Sequence, residues 1–125
     1  MIKPSIKYHK NGQKRFEQYF LNDKLHRADG PAYIDWYQNG RKRSEQYHLN
    51  GQLYRTDGPA HISWYPNGQK RSEEYFLNDQ CHRTDGPAYI HWYQNGRKHS
   101  KQYYLNGEEI KASSDLDFKK LMVFK

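Results

Sequence analysis

The chain of 125 residues is only 34% hydrophobic yet 16% aromatic, with twelve Tyr and three Trp, and it carries a formal charge of +7. Low hydrophobicity alone would imply disorder, but Tyr, Phe and Trp can cover one face of a sheet while their polar edges meet water, so a single folded domain over 1–125 is expected. The positive balance favours acidic partners of some kind, and no run approaches the length of a membrane span.

One stretch organises the rest. Asp57-Gly58-Pro59-Ala60 is flanked by Asp29-Gly30-Pro31-Ala32 and Asp85-Gly86-Pro87-Ala88, and Trp36, Trp64 and Trp92 keep the same 28-residue step. Asn11-Gly12, Asn39-Gly40, Asn67-Gly68 and Asn95-Gly96 carry the period to both ends. A fixed period of this length means a stacked array whose units bury their apolar faces against each other. The copies run about 5–28, 29–56, 57–84 and 85–110.

In chain order, Met1-Ile2-Lys3-Pro4 leads into polar sequence without the apolar core of a secretory leader, so a reducing, cytoplasmic setting is expected. Residues 5–28 read as a first copy that has lost its Trp: Tyr8 takes the place of Trp36, as an end cap would. Within a full copy, Ala32–Tyr37 and Ser44–Leu49 alternate as strands do, joined through a hairpin at Gln38-Asn39-Gly40-Arg41. A second turn at Asn50-Gly51, or Asn22-Asp23 and Asn78-Asp79, brings the chain back. The recurring Asp-Gly-Pro marks a bulge or kink that curves the sheet and leaves a trough along the stack. Ala32, Ile34 and Trp36, with Tyr47 and Leu49, form the packed face; Tyr33, His61 and Tyr89, with Asp35, Ser63 and His91, vary between copies and face water. The lone Cys81 replaces Leu25 and Leu53, excludes an intramolecular disulfide and reads as a small core hydrophobe. Beyond Asn106-Gly107, Ser114 is an N-cap for a helix over 115–123 that carries Phe118, Leu121, Met122 and Phe124 and closes the array within a cap of about 113–125. The fold expected is all-β: one curved antiparallel meander of about eight strands in hairpins, with a short C-terminal capping helix.

The words Trp-Tyr-x-Asn-Gly, then Tyr-x-x-Asn-Gly, then His-Arg-x-Asp-Gly-Pro-Ala, over roughly residues 5–110, resemble the MORN-repeat variant proteins of bacteria and of large DNA viruses and phages. The glycine-dense signature of the better-known MORN repeats is largely absent. The resemblance implies an extended antiparallel sheet that mediates protein or lipid contacts, in some bacterial relatives as an antitoxin-like protein, and hence a non-enzymatic binding module.

Three constellations offer chemistry. Arg27, Arg55 and Arg83, with His26 and His82, recur at the kink; their planar forks suit a phosphate or carboxylate, or each pairs with the Asp two residues on and fixes the bend. The basic turns Lys14-Arg15, Arg41-Lys42-Arg43, Lys70-Arg71 and Arg97-Lys98-His99 form a cationic edge that can track nucleic acid or anionic lipid, or is a solvated turn whose charges pair with Glu17, Glu45 and Glu73. Lys101 replaces that Glu in the last copy. Trp36, Trp64 and Trp92 read as core, whereas Tyr37, Tyr65 and Tyr93 face the other side and are the better ligand candidates. Seven His lack the paired spacing of a zinc site, and nothing breaks the repeat as a nucleophile with its base would, so no metal, cofactor or catalytic residue is expected. The leading reading is binding of another protein along the trough; the alternatives are sequestration of a small, nucleotide-like anion by the Arg and Tyr sites, and polyanion binding by the turn edge. The Trp face also offers a surface for self-association.

Overall fold

The computed structural model of the chain describes residues 3–123, so Met1, Ile2 and Phe124 of the sequence reading lie outside the described residues. The first copy contributes β1 (Pro4–Tyr8), β2 (Lys14–Leu21) and β3 (Lys24–Leu25). The second contributes β4 (Tyr33–Trp36), β5 (Lys42–Gln46), β6 (His48–Leu49) and β7 (Gln52–Leu53), and the third repeats it as β8 (His61–Trp64), β9 (Lys70–Glu74), β10 (Phe76–Leu77) and β11 (Gln80–Cys81). The fourth has β12 (Tyr89–Trp92), β13 (Lys98–Leu105) and β14 (Glu108–Ile110), followed by α1 (Asp115–Met122). One antiparallel sheet in the order β1-β2-β4-β5-β8-β9-β12-β13-β14, with β3 on β2, is an open meander.

The strands outnumber the eight expected because each ascending arm changes partner at one tyrosine. The Tyr47 amide donates to Ala60 O of the next copy (2.7 Å), whereas its carbonyl accepts from Tyr54 N of its own returning segment (3.0 Å). Tyr19 and Tyr75 do the same. Beyond this point the small hairpins stack: Gly51 N, Asp79 N and Gly107 N donate to Leu25 O, Leu53 O and Cys81 O of the preceding copy. Their tight turns need left-handed backbone, which Asn50 (φ 52°) and Gly51 (φ 83°) supply.

The large hairpins repeat an Asn ladder. Asn39 Oδ1 accepts from Arg41 N (2.9 Å) while its Nδ2 donates to Pro66 O of the next turn (3.1 Å), and Asn11 and Asn67 reach Gln38 O and Gln94 O in the same way.

Ala32, Ala60 and Ala88 are fully buried, and Ile34, Ile62 and Ile90 are nearly so. On that face each Ile lies between charged residues of the flanking strands, for example Ile34 between Glu17 and Glu45. The expected helix is present, with Ser114 Oγ accepting from Asp117 N (3.1 Å). Its Phe118, fully buried, stacks on Tyr103 (4.6 Å between ring centres), so α1 closes the last copy as expected. No helix of the described residues is long and apolar enough to cross a membrane.

Candidate functional site

Of the bulge or kink expected at Asp-Gly-Pro, the kink is present, and a bulge lies elsewhere. Asp-Gly-Pro lies in a bend between strands, and the register slips instead beside the large turns, at Lys7/Tyr8, Asp35/Trp36, Ser63/Trp64 and His91/Trp92. In the second copy Asp35 faces Ser44 but Trp36 faces Lys42, which leaves Arg43 as the extra residue. By the same count the extra residues of the other copies are Arg15, Arg71 and His99. A bulge breaks the alternation of side chains and re-aims the extra one.

This divides the basic edge, which the sequence reading treats as one surface. Lys14, Lys42 and Lys70 turn to the Ile face and pair with Glu17 (2.9 Å), Glu45 (2.5 Å) and Glu73 (2.6 Å). Burial pushes the Glu17 carboxyl up, but hydrogen bonds from Tyr19 and Lys14 outweigh it and hold the group below its ordinary range. Arg41 reaches Pro66 O (3.4 Å). Lys98, three residues before Lys101 where earlier copies have Glu, makes no ion pair among the described residues, and neither does Arg97.

The bulge residues turn to the opposite face. Arg15 lies over the Phe16 ring (6.0 Å), Arg43 approaches Asp35 (3.9 Å), Arg71 lies over Tyr65 (5.8 Å), and the His99 ring meets that of His91 (5.1 Å). Arg43 and Arg71 line a trough of about 550 Å3 that crosses the strands. Its shallow middle is Ser44, Ser63 and Ser72, with a hydroxyl pair between Ser63 and Ser72 (2.5 Å). Beside it runs a second row, Gln18, Tyr33, Gln46, His61, Glu74 and Tyr89, in register across the sheet. Both carboxylates of the trough have partners: Asp35 accepts from Ser44 Oγ (2.6 Å), and Glu74 pairs with His61 (3.3 Å). Arg71 has no carboxylate partner among the described residues. Burial raises the Tyr33 and Tyr89 hydroxyls and lowers His91, whose other neighbours, His99 and Arg71, act in the same direction. At neutral pH the trough therefore presents uncharged Tyr and His91 rings beside arginines. Behind Gln46 the buried His48 holds its amide (Nε2 to Oε1, 3.0 Å).

The wet positions of the sequence reading, Tyr33, Asp35, His61, Ser63, Tyr89 and His91, all line this trough. Gln18, Gln46 and Glu74 were missed, because this position is Gln in three copies, Gln18, Gln46 and Gln102, and changes only at Glu74.

The kink residues are otherwise engaged. Arg27, Arg55 and Arg83 each pair through Nε with Asp29 (3.0 Å), Asp57 (3.0 Å) and Asp85 (2.8 Å), donate to Pro31 O, Pro59 O and Pro87 O, and stack on Tyr19, Tyr47 and Tyr75 at 4.0, 3.9 and 4.1 Å. The guanidinium passes so close beneath Gly58 that a Cβ there would lie 3.0 Å from Arg55 Cζ. His26 and His82 accept through Nδ1 from Asn50 N and Asn106 N (both 2.9 Å), joining neighbouring copies. The Tyr37 and Tyr65 hydroxyls, read as ligand groups, donate instead to Trp64 O and Trp92 O (both 2.7 Å). Tyr93 has no following copy, is half-exposed and packs on His99 (4.6 Å). The tryptophans are half-buried rather than enclosed, with Lys14 over Trp36 (5.4 Å) and Lys70 over Trp92 (5.8 Å). Cys81 is half-buried, and burial pushes its thiol up to about 11. Among the described residues no group of three or more His, Cys, Asp or Glu is placed to hold a metal ion.

No family model matches the chain, and neither the curated proteins nor the solved structures give a match.

Proposed function

We infer that the chain is a non-enzymatic binding module whose trough on the wet face engages another protein. The observation that carries this reading is the trough itself: about 550 Å3 of groove crossing the strands, whose lining row carries positions that change from copy to copy, Tyr33, His61 and Tyr89, and Asp35, Ser63 and His91. Stacking demands that the inter-copy positions stay fixed, and it makes no such demand on this row. Variation within the groove gives each copy its own contact within a common frame, which is how repeat arrays read extended partners. The MORN-variant resemblance points to the same class of role, and a lone, half-buried thiol agrees with a reducing, cytoplasmic setting.

The test compares proteins retained by the immobilised chain with those retained by two double variants, each checked for folding by near-ultraviolet circular dichroism. His61→Ala with Tyr89→Ala alters the trough; Arg97→Ser with Lys98→Ser alters the free end of the basic edge. A partner lost with the first and kept by the second supports the trough. Loss with the second alone refutes it in favour of polyanion binding.

A further inference from the structure

Resting on the trough reading, we propose that the occupant is an acidic, proline-rich segment in the polyproline II conformation, lying across the strands with one acidic side chain on each of Arg15, Arg43 and Arg71. Three observations converge on this chemistry.

The first is the file of guanidinium groups. The bulge places Arg15, Arg43 and Arg71 on the trough side at equivalent positions of successive copies. Copies are two strands apart, so at the usual inter-strand spacing these groups recur about every 9.6 Å. The second is an aromatic ring in the same phase: Tyr33, His61 and Tyr89 stand at one register position of successive copies. The third is charge. Arg15 and Arg71 have no carboxylate partner among the described residues and Arg43 meets Asp35 only at 3.9 Å, so three guanidinium groups face the two carboxylates Asp35 and Glu74 and leave positive charge for an anion.

A chain able to satisfy both files must present like side chains at that interval on one side. Polyproline II advances about 3.1 Å per residue with three residues per turn, so every third side chain recurs on one face at about 9.3 Å. The mismatch grows to only about 1 Å over three copies, within the swing of an arginine side chain. A β-strand partner fits less well, because its like-facing residues recur at about 6.7 Å and residues three apart point to opposite faces. Prolines stack on aromatic rings, and the backbone of this conformation has no internal hydrogen bonds, leaving its carbonyls for the Gln18 and Gln46 amides. Duplex nucleic acid offers a phosphate every 3.4 Å along each strand, which supplies charge but no phase to match the rings.

The experiment measures binding of two dye-labelled peptides by fluorescence anisotropy: four Glu-Pro-Pro triplets, and a peptide of the same composition with all Glu in one block. The in-phase peptide is expected to bind about tenfold more tightly, the difference made by one or two additional charge-assisted contacts. Arg71→Ser should remove about tenfold of that affinity, while Arg97→Ser leaves it unchanged. Equal binding of the two peptides overturns the proposal. So does tighter, Arg71-dependent binding of an oligothymidylate of similar charge. If neither peptide binds while the trough double variant still loses its protein partner, this inference fails and the binding-module reading stands; if that loss is also absent, both fail.

Discussion

Replacing Arg55 with Ala separates a structural arginine from a ligand-binding one. Arg55 is held three ways: on the Tyr47 ring at 3.9 Å, on Pro59 O at 3.0 Å and on Asp57 at 3.0 Å. The Asp57 carboxylate is 83% exposed, so that pair contributes little in water. The stack is worth about 0.5–1 kcal/mol, and leaving the half-buried Pro59 carbonyl without its charged donor costs about 1–2 kcal/mol. Arg55→Ala should therefore destabilise the fold by about 2–3 kcal/mol, and Arg55→Lys by roughly half as much, since an ammonium keeps the charge but not the fork. For a chain of this size the Ala variant should melt about 8–12 °C lower, followed by Trp fluorescence on heating with urea unfolding as a check. Gly58→Ala supplies a second arm. Its new Cβ would collide with the guanidinium, so it should destabilise the parent but be nearly neutral once Arg55 is Ala, a coupling that a double-mutant cycle reads directly. A melting point for Arg55→Ala within about 2 °C of the parent would refute this reasoning and free the guanidinium for an anion.

Phe118→Ala should cost about 3–5 kcal/mol at the C-terminal end, seen as loss of helical circular dichroism and faster proteolysis after residue 105, whereas Leu116→Ala, at an exposed position, should change stability by less than about 0.5 kcal/mol. The hydrogen bond from Arg83 holds the Asp85 carboxyl below its ordinary range. A depressed folded-state value contributes stability above the unfolded value, and that contribution is lost as pH falls through the folded one; Asp85→Asn should thus be less stable than the parent at pH 7, with the gap closing below about pH 4. The Cys81 thiol, pushed up to about 11 by burial, should alkylate slowly at pH 8 in the folded chain and rapidly in urea.

The repeat, the hairpin turns, the two faces and the Ser114-capped helix were all legible, because each rests on a local pattern repeated or bounded by strong signals. The bulge was not recognised, and with it the division of the basic edge. Its trace is nevertheless present: Lys42 and Glu45 are three apart, and in a regular strand such residues point to opposite faces, so their pairing requires an extra residue between them. Lys14 with Glu17 and Lys70 with Glu73 repeat the trace. The roles of Tyr37 and Tyr65 were hidden for a different reason. Their partners are main-chain carbonyls of the next copy, and a carbonyl leaves no mark in the identity of the residue that carries it.

The same geometry explains how a largely single-layered sheet with so little aliphatic content covers its own aromatic face. Each Tyr of the row Tyr19, Tyr47 and Tyr75 carries the arginine of its own returning segment, and Trp36 and Trp92 lie beneath Lys14 and Lys70 from the adjacent strand. The long side chains bury their stems on the rings and keep their charges in water, so the cover is itself soluble. The row ends at Tyr103, and there the pattern changes: Lys111 stands one period after Arg83, and Phe118 takes the place on the ring. Asp115 accepts from the Tyr103 hydroxyl and from Lys101 (3.3 Å), which turns the last ring into a docking point for the helix. An arginine can roof a tyrosine inside the array because the next copy shields the other side. At the final copy no such neighbour follows, and a ring-on-ring contact carried by a helix closes the edge in its place.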